Sequence, residues 1–142
     1  MLHVQEKAIS VLKKHNLKII CCEHGTAGLV SNLLSCANTN DAFIMGFVLN
    51  NQEIIKSLFE VALDKDVKTI IYEISLQALR KVNKADICIT TYVEKTNVHI
   101  CLIFLDKNYI TTKEIGSDEN NYSRAAFEAM TFLSNYLEKI DK

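Results

Sequence analysis

The sequence has no proline, no tryptophan, only two arginines and only four glycines among its 142 residues. So little glycine and proline excludes collagen-like and low-complexity chains, and five cysteines are too few for a disulfide-dense scaffold. Hydrophobic residues make up 49% of the chain, which excludes a disordered polyampholyte. The sequence therefore predicts a globular protein, and its length fits one domain over residues 1–142.

An excess of charge of either sign is also missing. Sixteen basic and seventeen acidic residues give a net charge of −1, so no basic surface is predicted for nucleic acid. No apolar run approaches the roughly 20 residues that cross a bilayer, so no membrane association is predicted. The odd cysteine count and the absence of a Cys-x-x-Cys pair predict a reducing, cytoplasmic compartment with neither a metal site nor a disulfide.

Hydrophobic periodicity predicts the element order α-β-α-β-α-α-β-β-β-α. Helices are predicted over residues 2–15, 29–36, 51–59, 67–84 and 121–140, and strands over residues 17–22, 43–49, 86–91, 98–105 and 109–115. Strands separated by helices favour parallel pairing, whereas a tight turn at residues 106–108 requires an antiparallel pair. The predicted fold is an α/β/α three-layer sandwich with a mixed, mostly parallel five-stranded sheet.

The segment after the first strand is the strongest candidate for a site. Gly25, Ala27 and Gly28 leave backbone N–H groups accessible, and the following helix contributes the positive end of its dipole. These features suit a phosphate or carboxylate. A tight crossover that binds nothing explains the same residues.

Other candidates each have two interpretations. His24, next to Glu23, is either a tuned general base or a solvated turn residue. Lys56 either approaches a phosphate or pairs with Glu53 three residues earlier on a helix. Arg124 either binds an anion or is a solvated residue in the first turn of the last helix.

The end of the third predicted strand offers hydroxyl groups. Thr90, Thr91 and Tyr92 would lie at the carboxyl edge of the sheet, where open α/β sheets bind ligands. Simple preference of these residue types for strands is the alternative explanation.

Several segments resemble the C-terminal domain of the competence/damage-inducible CinA family. Residues 22–28 read Cys-Glu-His-Gly-Thr-Ala-Gly where that family has Ala-Glu-Ser-Cys-Thr-Gly-Gly. Residues 46–56 read Gly-Phe-Val-Leu-Asn-Asn-Gln-Glu-Ile-Ile-Lys, similar to the family's strand running into Tyr-Ser-Asn-x-x-Lys. Ala85 and Asp86 match the pair that opens the next family strand. The resemblance covers nearly the whole chain.

Active members of that family are nicotinamide-nucleotide amidases, which hydrolyse the carboxamide of nicotinamide mononucleotide and release ammonia. The resemblance therefore implies a small nucleotide as ligand, no cofactor, and self-association into a homo-oligomer. It places catalytic positions at or next to His24, Lys56 and Tyr92. It places ligand-binding positions at Glu23, Gly25, Thr26, Gly28, Thr91 and Arg124.

The chain departs from the family where the resemblance places catalysis. His24 replaces the serine taken to be catalytic, Lys56 lies one residue late, and the Gly/Pro-rich loop after Thr91 is absent. We therefore expect impaired or lost amidase activity with a remaining binding or regulatory role. The alternatives are an active amidase with a rearranged site that uses His24, Lys56 and Thr90 or Thr91, and a structural homo-oligomer with a vestigial pocket.

Overall fold

A computed structural model describes residues 3–37 and 41–141, and within them the elements follow the predicted order. The helices are α1 (Val4–Lys14), α2 (Leu29–Ala37), α3 (Gln52–Phe59), α4 (Val67–Lys81) and α5 (Asn121–Asp141). The strands are β1 (Ile19–His24), β2 (Phe43–Val48), β3 (Ile87–Glu94), β4 (Asn97–Phe104) and β5 (Lys107–Glu114). The predicted start of the first helix at Leu2 lies outside the described residues.

The five strands form one sheet in the order β2-β1-β3-β4-β5. β1 pairs in parallel with β2 and β3, whereas β4 is antiparallel to both β3 and β5. Four strands consequently run in the same direction, and only β4 runs against them. The predicted mixed, mostly parallel sheet is confirmed.

Helices cover both faces of the sheet because successive side chains of a strand point to opposite sides. Ile19 and Cys21 of β1 pack in the cluster that contains the buried residues of α1, α2 and α5. Ile20 and Cys22 pack in the cluster that contains those of α3 and α4. The three-layer α/β/α arrangement follows from this alternation.

Two helix boundaries differ from the prediction for identifiable reasons. Asn51 is the N-cap of α3 and not its first residue, since its side chain accepts hydrogen bonds from the N–H groups of Glu53 and Ile54. α4 ends at Lys81 instead of residue 84, because Val82 leaves helical geometry at φ −118° and ψ 76°.

The third and fourth strands form a hairpin that is tighter than predicted. β3 continues to Glu94, three residues past its predicted end, and Lys95 and Thr96 alone connect it to β4. Lys95 adopts a left-handed conformation with φ +57°, which is typical of two-residue hairpin turns. The next turn is also one residue earlier than predicted, since Phe104 pairs with Lys107 across Leu105 and Asp106.

Candidate functional site

The turn after β1 needs unusual backbone angles. Gly25, Ala27 and Gly28 all have positive φ, at +86°, +55° and +79°. A Cβ atom on Gly25 would lie 2.5 Å from the Cβ of Val93, closer than real carbon atoms approach. Only glycine therefore fits at position 25, and the turn is held tightly against the end of β3.

Glu23 supplies a carboxylate to the first turn of α2. Its Oε1 accepts hydrogen bonds from Thr26 Oγ1 at 2.6 Å and the Val30 N–H at 2.8 Å. Its Oε2 accepts from the Ser31 N–H at 2.9 Å and from Ser31 Oγ at 2.6 Å. The chain itself thus provides the anion at this helix N-terminus, where the sequence predicted room for an external one.

The side chains of Glu23, Thr26 and Thr91 are buried to 1% exposure or less. The hydroxyls of Thr26 and Thr91 lie 3.3 Å apart, which joins Thr91 to the Glu23 network. Thr90, on the other face, lies 2.6 Å from the hydroxyl of Ser75. The resemblance led us to expect that Glu23, Thr26 and Thr91 would contact a ligand, but none of these three side chains reaches the surface. We define Glu23, Thr26, Ser31 and Thr91 as the Glu23 network.

His24 and Tyr92 lie together at the carboxyl end of β1 and β3. Their rings stack with centroids 4.1 Å apart and planes 8° from parallel. His24 is partly exposed, yet its Nδ1 is buried and has no hydrogen-bond partner among the described residues. Partial burial lowers the pKa of His24, which favours the neutral imidazole.

His99 extends this group onto the next strand. The β3–β4 register places it directly opposite Tyr92. Its Nδ1 lies 2.9 Å from Thr112 Oγ1, while its buried Nε2 makes no hydrogen bond and lies 3.5 Å from Glu94 Oε1. We call His24, Tyr92 and His99 the imidazole row. The row crosses three adjacent strands, β1, β3 and β4. Two of its ring nitrogens, His24 Nδ1 and His99 Nε2, have no hydrogen-bond partner among the described residues.

His99 was not among the site residues predicted from the sequence, although the sequence contains a signal for it. A two-residue hairpin turn at Lys95 and Thr96 fixes the register of both strands, so the paired residues can be found by counting outward from the turn. That count pairs Tyr92 with His99. The prediction of a shorter third strand, ending at Thr91, concealed it.

Lys56 pairs with a residue of its own helix. Its Nζ is 3.6 Å from Glu53 Oε1 on the same exposed helix face. It lines a cavity of about 450 Å³ with Gln52 and residues 62–64, and neither His24 nor Tyr92 lines that cavity. The structure thus brings two of the three predicted catalytic side chains together and places Lys56 with other neighbours.

Arg124 fastens the loop before α5. Its Nε donates to the backbone carbonyl of Ile115 at 2.6 Å, and its Nη2 donates to Asp118 Oδ1 at 2.5 Å. The guanidinium holds the pKa of Asp118 below its usual value. Gly116 makes room for this arrangement, because its Cβ position lies 3.3 Å from Arg124 Nη2. The guanidinium of Arg124 is thus engaged by groups of the chain itself, where the resemblance implied contact with a ligand.

The described residues form neither a cluster of metal ligands nor a membrane-spanning helix. In residues 3–37 and 41–141, no three His, Cys, Asp or Glu side chains come together as metal ligands would. None of the helices in that same part of the chain has both the length and the apolar character needed to cross a membrane.

Comparison with known proteins gives structural neighbours only. No family sequence model matches the chain, and no curated protein sequence matches it significantly. A CinA-superfamily protein from Klebsiella pneumoniae 700603 superposes with a TM-score of 0.84, at 18% identity over 96% of each chain.

Two further crystal structures agree with this result. A competence or damage-inducible protein from Enterobacter asburiae gives a TM-score of 0.83 at 19% identity, over 94% of this chain and 96% of that one. A CinA-superfamily protein from Escherichia coli gives 0.79 at 16% identity, over 95% and 90%. Over nearly its whole length, the chain therefore has the fold of CinA-superfamily proteins.

Proposed function

We propose that the chain is a binding module with the CinA-superfamily fold that does not hydrolyse nicotinamide nucleotides. The observation that carries this proposal is the flat stack of His24 on Tyr92, at the position where the resemblance implies a serine nucleophile. The imidazole of His24 has no hydroxyl group that could attack a carboxamide as the serine would.

Nearby hydroxyls do not supply a substitute. Thr90 and Thr91 are each 1% exposed and pair with other buried hydroxyls. The N–H groups of Val30 and Ser31, which would suit a developing oxyanion, already donate to Glu23. The resemblance implies a serine nucleophile and free oxyanion donors. Because His24 replaces that serine and these two N–H groups already donate to Glu23, we infer that the amidase reaction is lost.

The short hairpin turn after β3 supports the same conclusion. The resemblance implies a Gly/Pro-rich ligand loop there, whereas Lys95 and Thr96 connect the strands directly. Glu94, half-exposed beside His99, would also repel a phosphate brought close to it. A ligand at the imidazole row would keep its anionic end away from this carboxylate.

The ligand we propose is a small nucleotide such as nicotinamide mononucleotide, whose heterocycle meets the imidazole row. A flat aromatic ring suits the partly exposed ring of His24, whose other face is stacked on Tyr92. The unpartnered Nδ1 of His24 and Nε2 of His99 are buried, so the contact that we propose for the heterocycle is stacking.

Two assays on the purified chain test this proposal: calorimetric titration with nicotinamide mononucleotide, and ammonia release from the same compound. We expect saturable binding and no ammonia above the buffer background. His24→Ala should weaken binding at least about tenfold, since it removes the stacking surface. His15→Ala, which alters a surface histidine paired with Asp141, is the matched control and should bind normally.

Other outcomes would identify the alternatives. Saturable ammonia release that disappears in His24→Ala would contradict the proposal and indicate an amidase with a rearranged site. Absence of binding at millimolar nucleotide would also contradict it, and would indicate a vestigial pocket.

A further inference from the structure

A cavity of about 350 Å³ lies between α4 and the segment that precedes it. Residues 60–62 and 65 line it, together with residues 73, 76, 77 and 80 of α4, whose spacing places them on one helix face. Its volume is within the roughly 300–1,000 Å³ of small-molecule pockets. No residue of the imidazole row lines this cavity, so an occupant would be separate from the proposed nucleotide.

Among the described residues, two acidic and two basic side chains line the cavity, but only one of each is paired. Lys65 Nζ lies 2.8 Å from Glu73 Oε1, and this hydrogen bond raises the pKa of Lys65, so both groups stay ionised. The side chains of Glu60 and Arg80 make no hydrogen bond or ion pair with any residue that the structure describes. The cavity therefore presents one free carboxylate and one free guanidinium.

Glu60 occupies a backbone position that favours glycine. It is the C-cap of α3 and adopts a left-handed conformation with φ +55° and ψ +40°. Glycine is the usual residue in this conformation, because it has no Cβ atom to crowd the backbone. The chain thus keeps a carboxylate at the cavity in spite of an unfavourable backbone angle.

Apolar side chains held by the core form another part of the lining. Val61 is only 3% exposed and packs with the buried residues of α3 and α4. Leu76 is half-buried and packs against the cluster that contains Ile71 and Tyr92. Because the core fixes both side chains, the cavity has a preformed apolar wall beside its two free charges.

We propose that this cavity binds a free α-amino acid with an apolar side chain, such as leucine. The planar guanidinium of Arg80 matches the two oxygens of the ligand's carboxylate, and the carboxylate of Glu60 accepts hydrogen bonds from its ammonium group. The ligand's side chain lies on Val61 and Leu76. A zwitterion neutralises both free charges of the cavity at once, whereas a simple anion or cation would leave one of them unpaired.

Calorimetric titration of the full chain with L-leucine tests the proposal, and we expect saturable binding. Arg80→Gln and Glu60→Gln should each weaken it at least about tenfold, because each removes one charge-assisted contact. Lys81→Gln is the matched control and should bind leucine normally. It removes a charge from the neighbouring exposed residue of the same helix, which does not line the cavity.

A second ligand, 4-methylpentanoate, isolates the role of Glu60, since it is leucine without the amino group. It should bind the wild-type chain at least about tenfold more weakly than leucine does, and Glu60→Gln should weaken it no further. His24→Ala should bind leucine normally, which separates this proposal from nucleotide binding. No binding of leucine at millimolar concentration, an equal loss in Lys81→Gln, or weaker binding of 4-methylpentanoate in Glu60→Gln would each overturn the proposal.

Discussion

Two clusters of polar side chains lie at the carboxyl end of β1, on opposite faces of the sheet. They differ in how many of their polar atoms have hydrogen-bond partners. The Glu23 network is buried, and the Glu23 carboxylate accepts four hydrogen bonds from within the chain. The imidazole row is partly exposed and keeps two ring nitrogens without hydrogen-bond partners. Buried polar groups that have hydrogen-bond partners stabilise a fold, whereas buried polar groups without partners reduce its stability and are often found at functional sites.

The contrast arises from neighbouring residues. Glu23 and His24 are adjacent in a strand and therefore point to opposite faces. A sequence motif that includes both thus combines a structural residue with a candidate ligand contact.

Removing the buried carboxylate should destabilise the chain most. Glu23→Ala leaves two hydroxyls and two N–H groups at the start of α2 without their acceptor, and should lower the free energy of unfolding by about 3–5 kcal/mol. Urea unfolding measures this change as a lower midpoint. Glu94→Ala, at the half-exposed carboxylate beside His99, should cost less than about 1 kcal/mol. Equal losses of stability in the two variants would contradict the distinction between the buried Glu23 network and the half-exposed Glu94.

Two glycines in the turn should respond differently to alanine. Gly25→Ala adds a clash with Val93 to a left-handed backbone and should cost about 2–4 kcal/mol. Gly28→Ala meets its nearest atom, Val48 Cγ2, at 3.7 Å, so only the backbone cost of about 1–2 kcal/mol remains. Thermal unfolding of both variants measures the two losses of stability. A larger loss in Gly28→Ala than in Gly25→Ala would contradict the expected order.

His24 should make stability depend on pH. The pKa of His24 is lowered in the folded chain, so the unfolded chain binds the additional proton below pH 6.5. The stabilisation is complete above that value and is lost as the pH falls through the folded pKa. Urea midpoints from pH 8 to pH 5 should therefore fall less in His24→Gln than in the wild type, and identical slopes would contradict this.

The smallest effect should come from Ala27, a non-glycine residue at φ +55°. Ala27→Gly relieves a left-handed backbone at some cost in chain entropy, and should raise the free energy of unfolding by about 0.5–1 kcal/mol. Ala125→Gly, in the helix α5, is the control and should lower it. Loss of stability at both positions would show that residue 27 is not strained.

The fold could be predicted because hydrophobic periodicity reports directly which faces are buried. The continuous apolar run over residues 17–22 predicted a buried strand, and Ile19–Cys22 of β1 are all buried. The predicted element order is confirmed. Strand ends were predicted less well, because the polar end of β3 resembles a loop until its partner β4 is considered.

The candidate site could be predicted only in part. Gly25 and Gly28 indicated a tight turn, which the positive φ angles confirm. Sequence could not show that the carboxylate of Glu23 would occupy the start of α2, since hydrogen bonds across seven and eight residues depend on the crossover geometry. It also could not separate Lys56 from His24, because helix placement decides which cavity a long side chain lines.

One nuclear magnetic resonance titration tests the central claim most directly. Nicotinamide mononucleotide is added to the chain while the ring signals of His24 and the nicotinamide signals are followed in the same sample. The account predicts that the His24 signals shift saturably and that the nicotinamide signals stay constant for hours. Conversion to the nicotinic acid nucleotide, or His24 signals that do not move, would contradict it.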